Sequence, residues 1–371
     1  MLPQGCNPKC RGCSHRDWSM TDSLEQKQAF VKSKLTEWAD LVEPVRSVPE
    51  SERWGYRTKT TLSARFNGNI WEFGMWRRDE LVPIPNCPVH APELNRVLAL
   101  LADSFPREHS FALAYVVISG AQVVLVIKSK QEPTLTWLSE DVAQGLASMG
   151  IEGIWYHMNP STGRRIFEKS GWMLIWGKTR STDYHGSLYG PAAFQQLIPE
   201  LYNESLEEAE RFLNPNGNSA LIDLYCGTGN SMRRWINRGA NVIGAELGGE
   251  AVECARLNAP QAMVLRGACR QRVPQIAEWT DKNRYQGKEI LLYVNPPRTG
   301  LEPEVLEWIS KQGLPNRIAY LSCSPGTLSK NLNWLCTNGY RLVRCVPFDF
   351  FPQTHHVETL ALLERVSADT Y

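Results

Sequence analysis

The amino-acid sequence predicts an α/β fold, with a doubly wound, mostly parallel sheet in the C-terminal half and a β-rich α+β part before it. Three features support this: an apolar segment that ends at Asp223 and leads into a Gly-x-Gly turn, a second apolar segment that ends at Glu246, and strands and helices that alternate from there to the C-terminus. Paired glycines let the backbone turn tightly and approach a ligand. A strand, glycine turn, helix and strand-end acid are typical of a nucleotide-binding half, so we predict a nucleotide-type cofactor here.

The composition is that of an ordinary globular protein. The 371 residues are 43% hydrophobic and 21% charged, enough for two domains with apolar cores. No run of 18 apolar residues occurs, and the N-terminus lacks a basic segment followed by an apolar one. We therefore expect a cytoplasmic protein without a membrane span. The formal charge is only +1, so nucleic-acid binding would require clustered basic residues.

The N-terminal segment contains three cysteines within eight residues, set among proline and glycine: Cys6, Cys10 and Cys13. Thiolates this close can bind one zinc ion or one iron–sulfur cluster, and both usually take four protein ligands. The best candidate for the fourth is Cys87, in another proline-bounded loop, and His15 and His90 are weaker candidates. The spacing alone does not distinguish zinc from an iron–sulfur cluster.

The middle of the chain, from about residue 54 to 180, is predicted to be rich in strands. β-Branched runs on both sides of Gly120 predict a hairpin. Residues 54–59 and 71–78 interleave aromatic and basic side chains, a pattern that suits stacking on unpaired bases together with phosphate contacts. The same pattern also suits a half-buried sheet with solvated arginines.

A polar, turn-rich segment at residues 179–186 predicts a domain boundary. The alternation of strands and helices begins after this segment. The predicted division is cysteine-rich loops at 1–20 and 80–92, a central β-rich RNA-binding domain at 21–182, and an α/β domain at 183–371.

Three polar residues stand at predicted strand ends in the second domain. Open α/β sheets bind ligands at the carboxyl ends of their strands, so Asn295 is expected to face the cofactor. Cys323, one strand later in a small-residue turn, is a candidate nucleophile, although an isolated cysteine is also typical of core packing. Glu358 precedes the closing apolar strand. A half-buried carboxylate there could take up a proton, and a solvated strand-end acid is the alternative.

Taken together, these motifs resemble those of the RNA uracil-C5-methyltransferases, which make 5-methyluridine, and in particular the short branch that acts on 23S ribosomal RNA. The resemblance spans nearly the whole chain in the family's order. It is carried by Cys6, Cys10, Cys13 and Cys87, by Phe194-Gln195, by residues 223–230, by Glu246, by Asn295-Pro-Pro-Arg298, by Ser322-Cys323 and by residues 351–358. The last three blocks are specific, whereas the glycine turn alone is not.

The resemblance implies a Rossmann-like S-adenosylmethionine methyltransferase domain and a 4Fe-4S cluster held by the four cysteines, in place of zinc. It implies that the Cys323 thiolate adds to uracil C6 and that Glu358 removes the C5 proton. It also implies a set of cofactor-site residues: Gln195, Tyr225, Asn230, Glu246 and Asn295.

The sequence departs from the family at four points. The first two cysteines are closer together than in other members, and Asn295 replaces an aspartate found in many of them. Residues 266–268 lack an acid that many methyltransferases place there. The N-terminal RNA-binding barrel of longer members is missing, so RNA contacts are expected from the aromatic–basic strands and the cysteine region.

The predicted reaction is S-adenosylmethionine-dependent methylation of uracil C5 in RNA, with 23S ribosomal RNA favoured over transfer RNA. The alternatives are a transfer-RNA uracil-C5-methyltransferase, an amino-methyltransferase acting on a purine, and a non-catalytic iron–sulfur RNA-binding protein. Amino-methyltransferases also carry Asn-Pro-Pro, but usually follow it with an aromatic residue, where this chain has Arg298. We expect a monomer without an obligate protein partner or membrane association.

Overall fold

A computed structural model describes residues 2–161, 163 and 165–366. By their contacts the residues divide into two compact units. The first comprises Met1–Asp17, Pro49–Asp183 and Tyr189–Leu197, and the second comprises Trp18–Val48, Tyr184–Leu188 and Ile198–Tyr371.

The helices and strands of the described residues are numbered in chain order. The helices are α1 (Met20–Lys34), α2 (Pro92–Ser104), α3 (Glu140–Ser148), α4 (Pro199–Leu213), α5 (Asn230–Asn237), α6 (Gly249–Asn258), α7 (Cys269–Tyr285), α8 (Pro303–Trp308) and α9 (Pro325–Thr337). The strands are β1 (Lys59–Phe66), β2 (Trp71–Arg77), β3 (Glu80–Pro83), β4 (Leu113–Ser119), β5 (Gln122–Ile127), β6 (Gly153–Met158), β7 (Trp172–Gly177), β8 (Ser181–Thr182), β9 (Leu188–Tyr189), β10 (Ser219–Leu224), β11 (Asn241–Glu246), β12 (Met263–Arg266), β13 (Glu289–Val294), β14 (Arg317–Ser322), β15 (Tyr340–Phe348) and β16 (Glu358–Arg365). In the described part of the chain, no helix combines the length and apolar character that a membrane span requires.

The first unit is built on a seven-stranded sheet in the order β3-β2-β1-β4-β5-β6-β7. Neighbouring strands are antiparallel except for the parallel pair of β5 and β6. The predicted hairpin is present, since β4 and β5 pair on both sides of Gly120. The side of α2 that packs on the core carries four buried apolar residues at helical spacing: Leu94, Val97, Leu98 and Leu101. The strand-rich character of this part is therefore confirmed.

The second unit is built on a seven-stranded sheet in the order β12-β11-β10-β13-β14-β16-β15. Strands β10 to β14 are parallel, and β16 runs antiparallel to both β14 and β15. Because strands of a doubly wound sheet are covered on both faces, they are apolar almost throughout, as the fully buried β10 shows. The prediction of a doubly wound, mostly parallel sheet is confirmed.

The antiparallel direction of β16 matters for the active site. Parallel strands bring their carboxyl ends to one edge of the sheet, where open α/β folds bind ligands. A strand that runs the other way presents its first residue at that edge. Glu358, at the start of β16, therefore lies at the same edge as the carboxyl end of β14.

The segment Trp18–Val48 belongs to the second unit, whereas the sequence analysis placed most of it in the central domain. The physical reason is burial, because Val31, Leu35 and Val42 join the apolar core of the parallel sheet. Ser19 caps α1 by accepting a hydrogen bond from the Asp22 N–H at 3.1 Å.

Candidate active site

The turn after β10 is shaped by residues in the left-handed region. Tyr225 has a φ of 60° and Gly229 a φ of 82°. A β-carbon on Gly229 would lie 2.9 Å from the Cα of Ala255, so only glycine allows this approach of the turn to α6. The Tyr225 N–H donates to the Ala245 carbonyl at 2.9 Å and holds the turn against β11.

Glu246, the last residue of β11, has both carboxylate oxygens directed at backbone N–H groups. One oxygen accepts from Gly227 in the glycine turn at 3.2 Å, and the other accepts from Gly248 at 2.7 Å. The carboxylate is only partly buried. The structure thus brings together the turn and the strand-end acid that the sequence analysis paired.

Tyr225, Asn230 and Asn295 lie at the same edge of the sheet. The Tyr225 hydroxyl donates to a Glu302 carboxylate oxygen at 2.6 Å, and burial raises the pKa of that hydroxyl well above its usual range. Asn230 begins α5, and its side-chain oxygen accepts from the Ser187 hydroxyl at 3.4 Å. The Asn295 N–H donates to the Leu224 carbonyl at 3.3 Å, which carries the pairing of β13 with β10 beyond the end of β13.

Cys323 and Glu358 are neighbours across two paired strands. The register of β14 and β16 pairs Ser322 with Thr359, so the next position places Cys323 opposite Glu358. Burial raises the pKa of the half-buried Cys323 thiol, the Glu358 carboxylate raises it further, and the guanidinium of Arg298 lowers it. Glu358 is only 3% exposed, so it is more deeply buried than the half-buried carboxylate predicted from the sequence.

The loop before Glu358 is folded tightly by its own side chains. The Thr354 hydroxyl donates to the Phe351 carbonyl at 2.8 Å and accepts from the His356 N–H at 3.2 Å. The rings of Phe351 and His356 meet edge to face with centroids 6.0 Å apart. Burial lowers the pKa of His356 to about 4, with further lowering by His355 and nearby cations, so this imidazole is neutral near neutral pH.

The four predicted metal-ligand cysteines share one neighbourhood in the first unit. Burial raises the pKa of the Cys13 thiol to about 11, and Cys87, Cys10 and Cys6 raise it as well, against a lowering by Arg57. All four thiols are half-buried and none forms a disulfide. Within residues 2–161, 163 and 165–366, no group of three or more His, Cys, Asp or Glu side chains is already arranged to hold a metal ion.

The two histidines predicted as weaker ligands are buried. His15 is 3% and His90 4% exposed. The His90 Nδ1 atom is hydrogen-bonded to the Asn95 side-chain oxygen at 3.0 Å, and burial lowers the pKa of His90 to about 4. Asn95 also donates to the Cys87 carbonyl at 3.0 Å, so His90 and Asn95 brace the Cys87 loop.

Gln195 belongs to the first unit, whereas the other four predicted cofactor-site residues belong to the second. Its side chain lies beside the Tyr189 hydroxyl. The adjacent Phe194 is 66% exposed, and the ammonium of Lys59 lies 5.6 Å from the centre of its ring. Lys59 also donates to the Ala193 carbonyl at 2.6 Å, and burial lowers the pKa of this lysine to about 8.

The aromatic–basic strands divide into a core part and an exposed part. Trp71 is buried, and its indole N–H donates to the Pro106 carbonyl at 2.9 Å. Trp76 is 54% exposed and is followed by the exposed Arg77 and Arg78. The half-buried-sheet alternative therefore describes Trp71, whereas the end of β2 presents an aromatic and basic surface.

Comparisons with known proteins show which enzymes the chain is similar to. The family model described as tRNA (Uracil-5-)-methyltransferase matches residues 189–366. The 23S rRNA (uracil(1939)-C(5))-methyltransferase RlmD of Thiobacillus denitrificans is 29% identical, over 98% of this chain and 86% of its own length. An uncharacterized RNA methyltransferase of Clostridium tetani is 28% identical, over 96% of this chain and 81% of its own. The chain is thus similar to RNA uracil-C5-methyltransferases, in its C-terminal half by the family model and along nearly its whole length by these relatives.

A solved structure supports the fold of this uracil-C5-methyltransferase. The Pyrococcus abyssi tRNA (uracil-54, C5)-methyltransferase, in complex with S-adenosyl-L-homocysteine, superposes with a TM-score of 0.73 and 22% identity. The match covers 96% of this chain and 86% of the other. At that identity the likeness establishes the shared fold. The predicted family and the predicted S-adenosylmethionine-dependent RNA methylation are confirmed, and the roles of individual residues stay predictions.

Two residues of the site are not predicted by the sequence pattern. Arg298, which follows Asn-Pro-Pro, lies beside Cys323. Glu302 accepts a hydrogen bond from the Tyr225 hydroxyl. Its position directly before Pro303, at the start of α8, was a usable signal, because an acid at a helix start often faces a ligand or a donor.

Proposed function

We propose that this methyltransferase modifies uracil C5 in 23S ribosomal RNA through a covalent adduct between Cys323 and uracil C6. The observation that carries the proposal is the pairing of β14 with antiparallel β16, which sets Cys323 opposite Glu358 with Arg298 nearby. The reaction needs a nucleophile and a base. The Cys323 thiol can serve as the nucleophile, and the buried Glu358 carboxylate, which is close enough to raise the pKa of that thiol, can serve as the base.

The reaction needs both groups because uracil C5 is a poor carbon nucleophile. Addition of the Cys323 thiolate to C6 moves electron density onto C5 and the neighbouring carbonyl. S-adenosylmethionine, when bound, supplies the methyl group to C5. Glu358 then removes the C5 proton, and the electron pair of that C–H bond restores the C5–C6 double bond as the Cys323 thiolate leaves. The target base must be turned out of its stack to reach both residues.

The cofactor site is assigned to the edge of the parallel sheet. Glu246, which accepts the Gly227 N–H of the glycine turn, is the proposed acceptor for the ribose hydroxyls. Tyr225, Asn230 and Asn295 lie at the same edge. Gln195, which belongs to the first unit, is assigned to the cofactor from the family resemblance alone.

The four clustered cysteines are assigned to a 4Fe-4S cluster. Their donor set fits, since four thiols share one half-buried neighbourhood and iron–sulfur clusters take four cysteine thiolates. Bound there, the cluster would stabilise the loops at 1–20 and 80–92. The exposed end of β2, with Trp76, Arg77 and Arg78, is assigned to RNA contacts because aromatic stacking and cations suit unpaired nucleotides.

The choice of 23S ribosomal RNA rests on similarity to relatives. The Thiobacillus denitrificans protein and a second 23S rRNA (uracil(1939)-C(5))-methyltransferase, from Hahella chejuensis, match this chain at 29% and 26% identity. We also propose, as expected from the sequence, a monomer acting in the cytoplasm.

The substrate proposal is tested with RNA that lacks 5-methyluridine. Purified protein with methyl-labelled S-adenosylmethionine is offered 23S ribosomal RNA and transfer RNA in separate reactions. Incorporation into 23S ribosomal RNA alone, recovered as 5-methyluridine after digestion, is the expected result. Incorporation into transfer RNA alone would assign the enzyme to that substrate instead.

A further inference from the structure

Lys27 of α1 has its ammonium buried in the second unit. The side chain is 0% exposed, which is rare for lysine. It forms an ion pair with Asp349, which is also 0% exposed, and donates to the Phe351 carbonyl at 3.1 Å. The two members of the pair are 322 positions apart in the sequence. The pair therefore fixes α1 to the segment that follows β15.

That segment leads to Glu358. Asp349 directly follows β15, and its own N–H donates to the Arg46 carbonyl at 2.8 Å. The Phe351 carbonyl accepts from Lys27 and from the Thr354 hydroxyl, and that hydroxyl in turn accepts from the His356 N–H. A continuous chain of hydrogen bonds thus runs from Lys27 to a residue two positions before Glu358.

The loop also contains a strained residue. Gln353 has a φ of 67°, in the left-handed region that side chains other than glycine seldom adopt. Such a conformation persists only where its surroundings impose it. Contacts on both sides of Gln353 contribute to this: the Lys27 ammonium donates to the Phe351 carbonyl, and the His356 N–H donates to the Thr354 hydroxyl.

Stability alone does not explain a fully buried ion pair. The desolvation of two charges offsets most of their attraction, and apolar residues of similar size often stabilise a core equally well. An ammonium, however, can direct separate N–H bonds to a carboxylate and a carbonyl at once. Lys27 does this at the two ends of the short segment 349–351.

We infer that Lys27 is a positioning residue for the proton-abstraction step: its contacts with Asp349 and Phe351 hold the loop so that Glu358 stays opposite Cys323. This inference rests on the proposed roles of Cys323 and Glu358. The bonds of Lys27 to Asp349 and Phe351 connect it to the loop, and through the loop its effect reaches the reaction.

The test separates adduct formation from proton removal. Wild-type protein, Lys27→Met, Asp349→Asn and the double variant are each mixed with RNA tritiated at uracil C5 and with S-adenosylmethionine, in single turnover. The protein–RNA adduct is followed on denaturing gels, and tritium is followed in water. In the single variants we expect adduct formation and S-adenosylmethionine binding at wild-type levels. Tritium release should be slower by about 100-fold, the order of loss that an ångström of misplacement produces.

The double variant separates positioning from stability. Each single variant leaves one buried charge without its counter-charge, whereas the double variant leaves neither. We expect its thermal stability to exceed that of Lys27→Met while tritium release stays slow. If Lys27→Met fails to fold, adduct formation and tritium release are compared in the double variant instead. Recovery of both stability and tritium release in the double variant would overturn the inference.

A matched control is Arg317→Met. Arg317 pairs with Glu289 through bonds of 2.8 and 2.9 Å at the starts of β14 and β13, the opposite edge of the sheet from Cys323. The Arg317→Met variant should have a lower thermal stability and an unchanged ratio of adduct to released tritium. If the Lys27 variants lose adduct formation and tritium release in parallel, as unfolding would cause, Lys27 has no positioning role. Failure of the proposed function differs from this, because the wild-type protein itself would then release no tritium.

Discussion

Cysteine thiols occupy two contrasting environments in this protein. In the first unit, Cys13 lies among other thiols, and Cys87, Cys10 and Cys6 raise its pKa in addition to burial. In the second unit, the neighbour that raises the pKa of Cys323 is the Glu358 carboxylate rather than other thiols, and Arg298 lowers that pKa as Arg57 lowers that of Cys13. Both thiols are half-buried, so burial does not separate the two environments.

The difference lies in the neighbours. Several thiols in one place are costly to ionise together, and a metal centre relieves that cost by binding them as thiolates. A single thiol beside a cation can ionise alone and attack carbon, and a nearby carboxylate can then take a proton. The comparison teaches that the charged groups around a cysteine decide whether it suits a metal site or catalysis.

Removal of the isolated thiol should have the largest effect. Cys323→Ala is expected to lower turnover by on the order of 10⁴-fold or more, because no other group can form the bond to C6. Binding of S-adenosylmethionine should be unchanged when measured by calorimetry. The control is Cys336→Ala, a half-buried cysteine without a proposed role. Turnover by Cys323→Ala at the rate of this control would refute the nucleophile assignment.

Removal of the carboxylate opposite Cys323 should stop the reaction one step later. Glu358→Gln is expected to lower product release by about 100- to 10,000-fold, the usual contribution of a general base. The methylated adduct should accumulate and appear as a protein–RNA band on denaturing gels. Glu364→Gln, near the other end of β16, serves as the control. Free methylated RNA from Glu358→Gln at the rate of this control would remove the residue from its role.

A change in the clustered thiols should affect stability before chemistry. Cys13→Ser is expected to lose bound iron and sulfide and to lower the free energy of unfolding by about 4 kcal/mol or more, as loss of a metal centre does. Metal analysis and thermal unfolding measure both effects, again with Cys336→Ala as the control. Zinc in the purified wild-type protein, at one ion per chain, would contradict the iron–sulfur proposal.

Removal of the cation beside Cys323 should have the smallest effect on activity, and it should shift the pH profile in a defined direction. Arg298 lowers the pKa of the Cys323 thiol, so Arg298→Met raises it. Because the thiolate is the reactive form, the rise of activity with pH should move to higher pH. Each unit by which the pKa of Cys323 rises should lower the activity at neutral pH by about tenfold. Arg341→Met, whose guanidinium is mostly exposed on β15, should leave the profile unchanged. An unshifted profile for Arg298→Met would show that the cation does not act on the thiol.

Much of the site could be predicted from the sequence because strand direction determines which residues meet. Asn295 and Cys323 follow apolar strands directly, and parallel strands bring their carboxyl ends to one edge. Glu358 could be placed from the family resemblance, and the antiparallel course of β16 explains how it reaches that edge.

Other features could not be predicted because they depend on contacts between distant segments. The apolar residues of α1 suit packing against either sheet, so the pattern did not show that this helix joins the second unit. Burial of Lys27 against Asp349, and the bond from Tyr225 to Glu302, join residues far apart in the chain. For Trp71 and Trp76 the aromatic–basic pattern was the same, and only the sheet decided which one is exposed.

The most direct test of the central claim follows the hydrogen at uracil C5. RNA tritiated at that position is incubated with the protein and methyl-labelled S-adenosylmethionine, and tritium in water is compared with methyl groups in RNA. We predict one tritium released for each methyl group transferred, dependent on Cys323. Methyl transfer without tritium loss would contradict C5 chemistry and point to an amino-methyltransferase.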